Sequence, residues 1–203
     1  MHPEHTELHA WARGWAISRA TPTPVEVPGG YRIDVGLPGH QVRYVLAAFD
    51  QALVDSLHHP GTWLKICAET VRLDPRWHVE PTEYLMSAPL SGGVVAVAPE
   101  YRLEVVDQAA TTEVRIMAGA ELAARGKAAL TGEFAVIDQV ETDPDHRRRG
   151  LGKSVMSALS EATTRRGATT GVLVATEDGR ALYSRLGWTL VSPVTAAWLV
   201  EDY

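Results

Sequence analysis

The chain carries a single cysteine among its 203 residues. Cys67 has no partner within the chain, so no internal disulfide framework exists, and a reducing compartment suits it. Positive charge is also in short supply. Lys and Arg number 19 against 25 Asp and Glu, a formal net charge of −6. That balance argues against a nucleic-acid-binding surface. No apolar run approaches the roughly eighteen residues of a bilayer span. Residues 1–7 (MHPEHTE) lack the basic and apolar regions of a secretory leader. The expected setting is the cytoplasm, with neither membrane nor nucleic acid as partner. Metal-ligand spacing is sparse too. His2, His5 and His9 cluster without a cysteine or second group to support them; they read as a mobile N-terminus, and no metal is expected. What remains is an ordinary globular composition, 45% hydrophobic and 22% charged. It is long enough for a substantial core in one large domain, or in one domain with a small companion.

Against these absences one stretch stands out. Arg147, Arg148, Arg149, Gly150, Leu151, Gly152, Lys153 and Ser154 lie where a strand gives way to a helix. Residues 134–142 are β-rich and lead to Pro144. Leu151, Val155, Ala158, Leu159 and Ala162 then recur at helical spacing. Glycine lets the backbone turn sharply and approach a ligand closely. The first N–H groups of a helix lack intrahelical partners, and its dipole favours an anion there. Three arginines and a lysine add to that preference, so the pattern points to a phosphate or pyrophosphate.

Two loop patterns end this way. The nucleotide P-loop needs Gly-x-x-x-x-Gly-Lys-Ser/Thr, and its first glycine would fall on Arg147, where a side chain blocks the turn. The other is Arg/Gln-x-x-Gly-x-Gly/Ala, which Arg147, Gly150 and Gly152 match in full. In this the chain resembles the GNAT acetyltransferase superfamily. A second segment strengthens the likeness. After a buried run at 170–176, Ala181, Tyr183 and Gly187 stand where that superfamily has Ala, Tyr and Gly. Trp188 replaces the usual Phe. The resemblance covers about residues 100–203.

The resemblance implies an α/β (α+β) fold. Its mixed, mostly antiparallel sheet is flanked by helices, with strands four and five splaying apart in a V. It implies acetyl-CoA as co-substrate and direct transfer of the acetyl group to a primary amine in a ternary complex. The backbone of Val140, Glu141 and Thr142 would pair with the pantetheine arm, and the N–H groups of Arg148 to Lys153 would hold the pyrophosphate. Arg147 and Arg149 would neutralise outer oxygens, and the Ser154 hydroxyl would add a contact. Asp178 and Tyr183 complete the expected cofactor contacts. Tyr183 is the expected proton donor to the leaving sulfur. Asp138 is the first candidate for general base and Glu141 the second. Strict alternation would put Val136, Asp138 and Val140 on one face, among apolar neighbours that raise the Asp138 pKa, with Glu141 opposite. A non-catalytic acyl-CoA sensor of the same fold is the alternative. The acceptor, small molecule or protein, stays open, as does a homodimer.

Organisation before residue 100 is less marked. Ser91-Gly-Gly93 is the best boundary. It divides the chain into a 1–92 extension, read as a small α/β subdomain or a degenerate second GNAT half, and a 93–203 acetyltransferase domain. Helices are expected at 11–19 and 50–58, and strands at 31–35, 62–67, 101–106, 113–118, 119–127, 134–142, 170–176 and 195–200. A turn is expected near 124–127. Trp63, Trp77 and Tyr84 read as core.

Overall fold

The computed structural model describes residues 3–93 and 95–200. In chain order the elements are α1 (Pro3–Arg19), β1 (Val25–Val27), β2 (Gly30–Leu37), β3 (His40–Leu46) and α2 (Gln51–Asp55). Then follow β4 (Thr62–Ile66), β5 (Trp77–Val79), β6 (Glu83–Pro89), β7 (Tyr101–Asp107), β8 (Thr111–Ala118), β9 (Glu121–Thr131) and β10 (Phe134–Thr142). A 3-10 turn (Pro144–His146) leads to α3 (Leu151–Arg165), β11 (Thr170–Ala175), α4 (Glu177–Arg185) and β12 (Thr189–Leu199). These elements form two compact units: Met1–Met86 with Val174–Tyr203, and Ser87–Leu173. The division therefore differs from the boundary expected at Ser91-Gly-Gly93. The last thirty or so residues belong with the N-terminal part, because β12 pairs antiparallel with β4, Thr195 opposite Ile66 through Trp198 opposite Trp63.

In the Ser87–Leu173 unit, β7, β8, β9 and β10 pair antiparallel in sequence order, and β11 joins β10 in parallel. Helix α3 buries Leu151, Val155, Met156, Ala158, Leu159, Ala162 and Thr163, the stripe expected of a helix laid on a sheet. Full burial of a side chain such as Leu159 stabilises by about 1.5–3 kcal/mol. The sheet beneath is cut low to receive it. A Cβ at Gly126 would stand 2.5 Å from Val155 and 3.0 Å from Leu159, so a larger residue would lift the helix. The turn expected at 124–127 is thus absent: these residues are the middle of β9. Beyond α3, the Arg166 guanidinium donates to the carbonyls of Gln108 (2.7 Å), Ala109 (2.8 Å) and Thr111 (2.8 Å), clamping the β7–β8 turn.

In the other unit β1, β2 and β3 are antiparallel, β4 runs parallel to β3 after α2, and β12 lies between β4 and β5. Leu46, Leu64, Ile66, Trp77, Ala197 and Leu199 pack with Val54 of α2 on one face. Helix α1 is longer than the 11–19 segment expected from sequence. It buries Leu8, Ala10, Trp11, Ala12, Trp15, Ala16 and Ser18, residues on more than one face, which explains its weak one-sided pattern. His9 therefore lies in a helix, bonded to the Tyr31 hydroxyl, rather than in a mobile tail. His2 lies outside the described residues. An ion pair of buried Lys65 with half-buried Glu83 sits among these strands.

Candidate active site

The site is built from β10 onward. Its ladder with β11 runs only from Phe134↔Thr170 to Val136↔Val172, while β10 continues to Thr142. On the other side β9 follows it throughout, but with an irregularity: Asp138 faces Lys127 and Glu141 faces Arg125. Three steps on β10 match two on β9, so β10 carries a bulge with one surplus residue. Gln139 supplies it, with φ +55 in the left-handed region that glycine usually occupies. A bulge bends and twists its strand, and this one lies just beyond the point where β10 and β11 part. Among the described residues β10 pairs only with β9 and β11. The 140–142 backbone is therefore tied to a strand on its β9 side alone.

The bulge corrects the expected facing. Residues opposite each other in an antiparallel ladder share a face. Asp138 and Glu141 therefore lie together on the face of Lys127 and Arg125, and Val140 turns to the α3 side, where its Cγ2 would lie 3.4 Å from a Cβ at Gly126. Asp138 is half-buried and accepts the Gln139 amide N–H (2.9 Å). Its cross-strand neighbour is a lysine, not the apolar surroundings the sequence suggested. Glu141 is exposed and bound by the Arg125 guanidinium through Nε (3.0 Å) and Nη2 (2.8 Å). Next to that pair lies a pocket of about 400 Å³, lined by residues of β9, Glu141, Thr142, Asp143, Pro144 and Arg147.

The loop follows. Asp143 caps the 3-10 turn by accepting the Asp145 amide (2.9 Å). Arg148 (φ +62) and Gly150 (φ +79) both take the left-handed conformation. Gly150 is the N-cap of α3, and no side chain caps the helix. The first amide to find a helical partner is that of Ser154, on the Gly150 carbonyl (3.1 Å). The amides of Leu151, Gly152 and Lys153 precede it and form the uncapped tip that favours an anion. A Cβ at Gly150 would touch nothing within 4 Å. The demand for glycine there is the positive φ, not lack of room in the protein.

Side chains of the loop are less available than the sequence suggested. The Arg147 Nε donates to the Thr142 carbonyl (3.3 Å), and the Arg149 Nη1 donates to the Tyr101 hydroxyl (3.1 Å). The Ser154 hydroxyl donates to the Ala96 carbonyl (3.0 Å), part of a segment that also meets α3 where Ser160 donates to the Ser91 carbonyl. Arg148 and Lys153 are exposed. Tyr101 and Gln139 had no local signal, because neither a strand-start tyrosine nor a bulged glutamine differs in sequence from its ordinary counterparts.

Tyr183 belongs to the other unit. It lies in α4, whose N-cap Thr176 accepts the Gly179 amide. Gly179 leaves room for the phenol ring: a Cβ there would stand 3.1 Å from Tyr183 Cε2. Gly187 (φ +86) ends the helix, and the Trp188 amide returns to the Tyr183 carbonyl (3.0 Å), a Schellman closure that accounts for the Gly-aromatic pair. Tyr183 is buried, and burial pushes its hydroxyl up to about 12. It remains protonated across neutral pH. Asp178 is exposed in the first turn of α4. Of the aromatics read as core, Trp77 is buried, Trp63 stacks on Trp198, and Tyr84 lies beneath the Arg180 guanidinium. Among the described residues no group of His, Cys, Asp and Glu is arranged to hold a metal.

Comparison with known proteins bears on this arrangement. Residues 118–199 match the FR47-like protein family, which is related to GNAT. A GCN5-related N-acetyltransferase from Kribbella flavida superposes with TM-score 0.70 at 16% identity, over 100% of this chain and 97% of that one. The protein has the GNAT fold. A GCN5-related N-acetyltransferase-like protein from Streptococcus suis superposes at 0.59 with 14% identity, covering 86% and 85% of the two chains. One from Sphaerobacter thermophilus does so at 0.57 with 10% identity, covering 83% and 76%. No curated protein matches the sequence. The likeness of fold to the Kribbella protein takes in residues before 100 as well, where sequence alone showed little. The family match over residues 118–199 and the shared fold agree with the GNAT resemblance carried by the loop and the Ala181, Tyr183 and Gly187 segment.

Proposed function

We propose that the protein transfers an acetyl group from acetyl-CoA to a primary amine by direct attack in a ternary complex. The observation that carries this reading is the uncapped tip of α3, reached through two left-handed residues after a bulged strand that has parted from its neighbour. The amides from Arg148 to Lys153 would hold the pyrophosphate, with Arg147, Arg148 and Lys153 supplying charge. The parted edge of Val140, Glu141 and Thr142 would take the pantetheine arm as an added strand, and an amide there would polarise the thioester carbonyl.

In the reaction the ammonium first loses a proton. The free amine then attacks the carbonyl carbon, the C–S bond breaks, and products are an amide, the CoA thiol and one released proton. Asp138 would take the ammonium proton, with Glu141 second because its ion pair with Arg125 must first open. Tyr183 would donate to the departing sulfur. With its hydroxyl held near 12 and an ordinary thiol near about 8.5, full transfer is uphill. Its first role is a hydrogen bond that stabilises the thiolate. Asp178 is assigned a peripheral cofactor contact.

The test is calorimetric titration with acetyl-CoA, followed by thiol release with a panel of small amines and peptides. Heat of binding with thiol release supports the reading. Binding without release under any amine would favour a sensor of the same fold, a reading to which the fully buried Val136 lends weight, since a carboxylate stands there in some GNAT enzymes. No binding would end both.

A further inference from the structure

We infer that Tyr101 is a positioning residue for the pyrophosphate loop, holding it through Arg149 and His146. This inference rests on the proposed reading of that loop. Residues 147–150 are exposed, and two of them occupy the left-handed region, so the loop does not hold its shape through regular hydrogen bonding. Tyr101 by contrast is 6% exposed. It opens β7, pairs with Ala118, and its amide is bonded to the Ala98 carbonyl (2.9 Å). Its phenol is therefore a fixed post. The hydroxyl accepts the Arg149 Nη1–H (3.1 Å) and meets the His146 Nδ1 at 3.0 Å. The His146 ring also stands edge-on to the phenol, 5.6 Å between centroids at 75°.

These bonds form a chain. The phenol has one proton and accepting lone pairs. The guanidinium can only donate, so the phenol proton is left free for the imidazole, and the hydroxyl bonds His146 Nδ1 with whichever of the two carries the proton. His146 and Arg149 flank the Arg147–Arg148 step on either side. Anchoring both to one oxygen fixes the ends of the turn and the direction in which its amides point before any ligand arrives. A loop ordered in advance does not lose that freedom on binding. Arg149, expected from sequence to neutralise phosphate oxygens, thus acts first as a tether.

The experiment is a double-mutant cycle on CoA affinity. Tyr101→Phe keeps the ring against His146 and removes only the hydroxyl. Arg149→Lys keeps the charge on an exposed side chain and removes the planar donor. Each is expected to weaken CoA binding about tenfold, in line with a hydrogen bond to a charged group. The double variant is expected to be no weaker than Tyr101→Phe alone, since that substitution already breaks the bond that Arg149→Lys removes. Binding of pantetheine, which lacks the diphosphate, should not change. A Tyr101→Phe affinity within twofold of wild type, losses that add, or an equal loss for pantetheine would each overturn the inference while leaving the proposed site intact. Failure of the wild-type protein to bind CoA would overturn the site reading and this inference together.

Discussion

The two units of this protein were built from different kinds of information. In Ser87–Leu173 the strands pair with sequence neighbours, and the helix that follows β10 lies on the sheet those strands make. In the other unit a strand near the C-terminus, β12, pairs with one near residue 64, and β5 adds to its far side. Polar groups follow the same division. In the first unit the buried polar side chains are the hydroxyls of Thr111, Thr112 and Thr163, none of them charged. The second buries an ammonium, Lys65, against Glu83 and wedges His40 between Trp15 and Trp63. Chemistry can be read where it is local; stability rests on contacts that no local window contains.

The largest effect expected of this contrast is in the second unit. Burial lowers the Lys65 pKa, and the Glu83 charge pulls it back up. Glu83→Gln leaves the ammonium buried and unpaired, and should cost about 3–5 kcal/mol in denaturant unfolding. Replacing the pair together, Lys65→Met with Glu83→Leu, should recover most of that loss; no recovery would mean the pair does more than satisfy itself. Next comes Tyr183→Phe, expected to lower kcat about 100-fold while acetyl-CoA affinity stays within twofold of wild type. Equal turnover would remove the hydroxyl from the reaction. In the local unit, Gly150→Val puts a β-branched residue at φ +79. The strain of about 1–2 kcal/mol should appear as weaker CoA binding, roughly tenfold, with an unfolding midpoint close to wild type. A collapse in stability instead would show that this loop carries the fold as well as the ligand.

The smallest effect concerns pH. Burial, then the charges of Arg43, Lys65 and Arg19, lower the His40 pKa from 6.5 to about 4. The unfolded chain thus binds a proton that the folded one refuses between those values, and stability should fall as pH drops from about 6.5 to about 4. His40→Gln should flatten that slope, measured as the denaturant midpoint at several pH values. An unchanged slope would place the acid sensitivity elsewhere.

Much of the local unit was legible. Strand 134–142, the helix beginning at Leu151 and the glycine that caps it follow from β-propensity, helical spacing and the need for an uncapped turn. Gly187, marked by the resemblance alone, lies in the other unit, where it closes α4. Two things were not legible. Alternation predicts faces only in an unbroken ladder, and Gln139 gives no glycine to mark where it breaks. Partners of loop side chains, such as Tyr101 for Arg149, are set by tertiary approach. In the other unit the last strand is expected at 195–200, closing the sheet; β12 runs from Thr189 to Leu199, and its pairing with β4 is what sequence did not show. Which strand it joins depends on loop closure across more than a hundred residues, which leaves no periodicity to read.

β10 holds one surplus residue, Gln139. Asp138 and Glu141 share a face and Val140 takes the other. Excision of Gln139 alone would leave all three where they are, because the remaining residues would then simply alternate. What would change is straightness: the strand could run on beside β11 as an ordinary one. A single lost codon could therefore turn the proposed coenzyme crevice into plain sheet. By the same route, a featureless strand could gain such a crevice through one inserted residue.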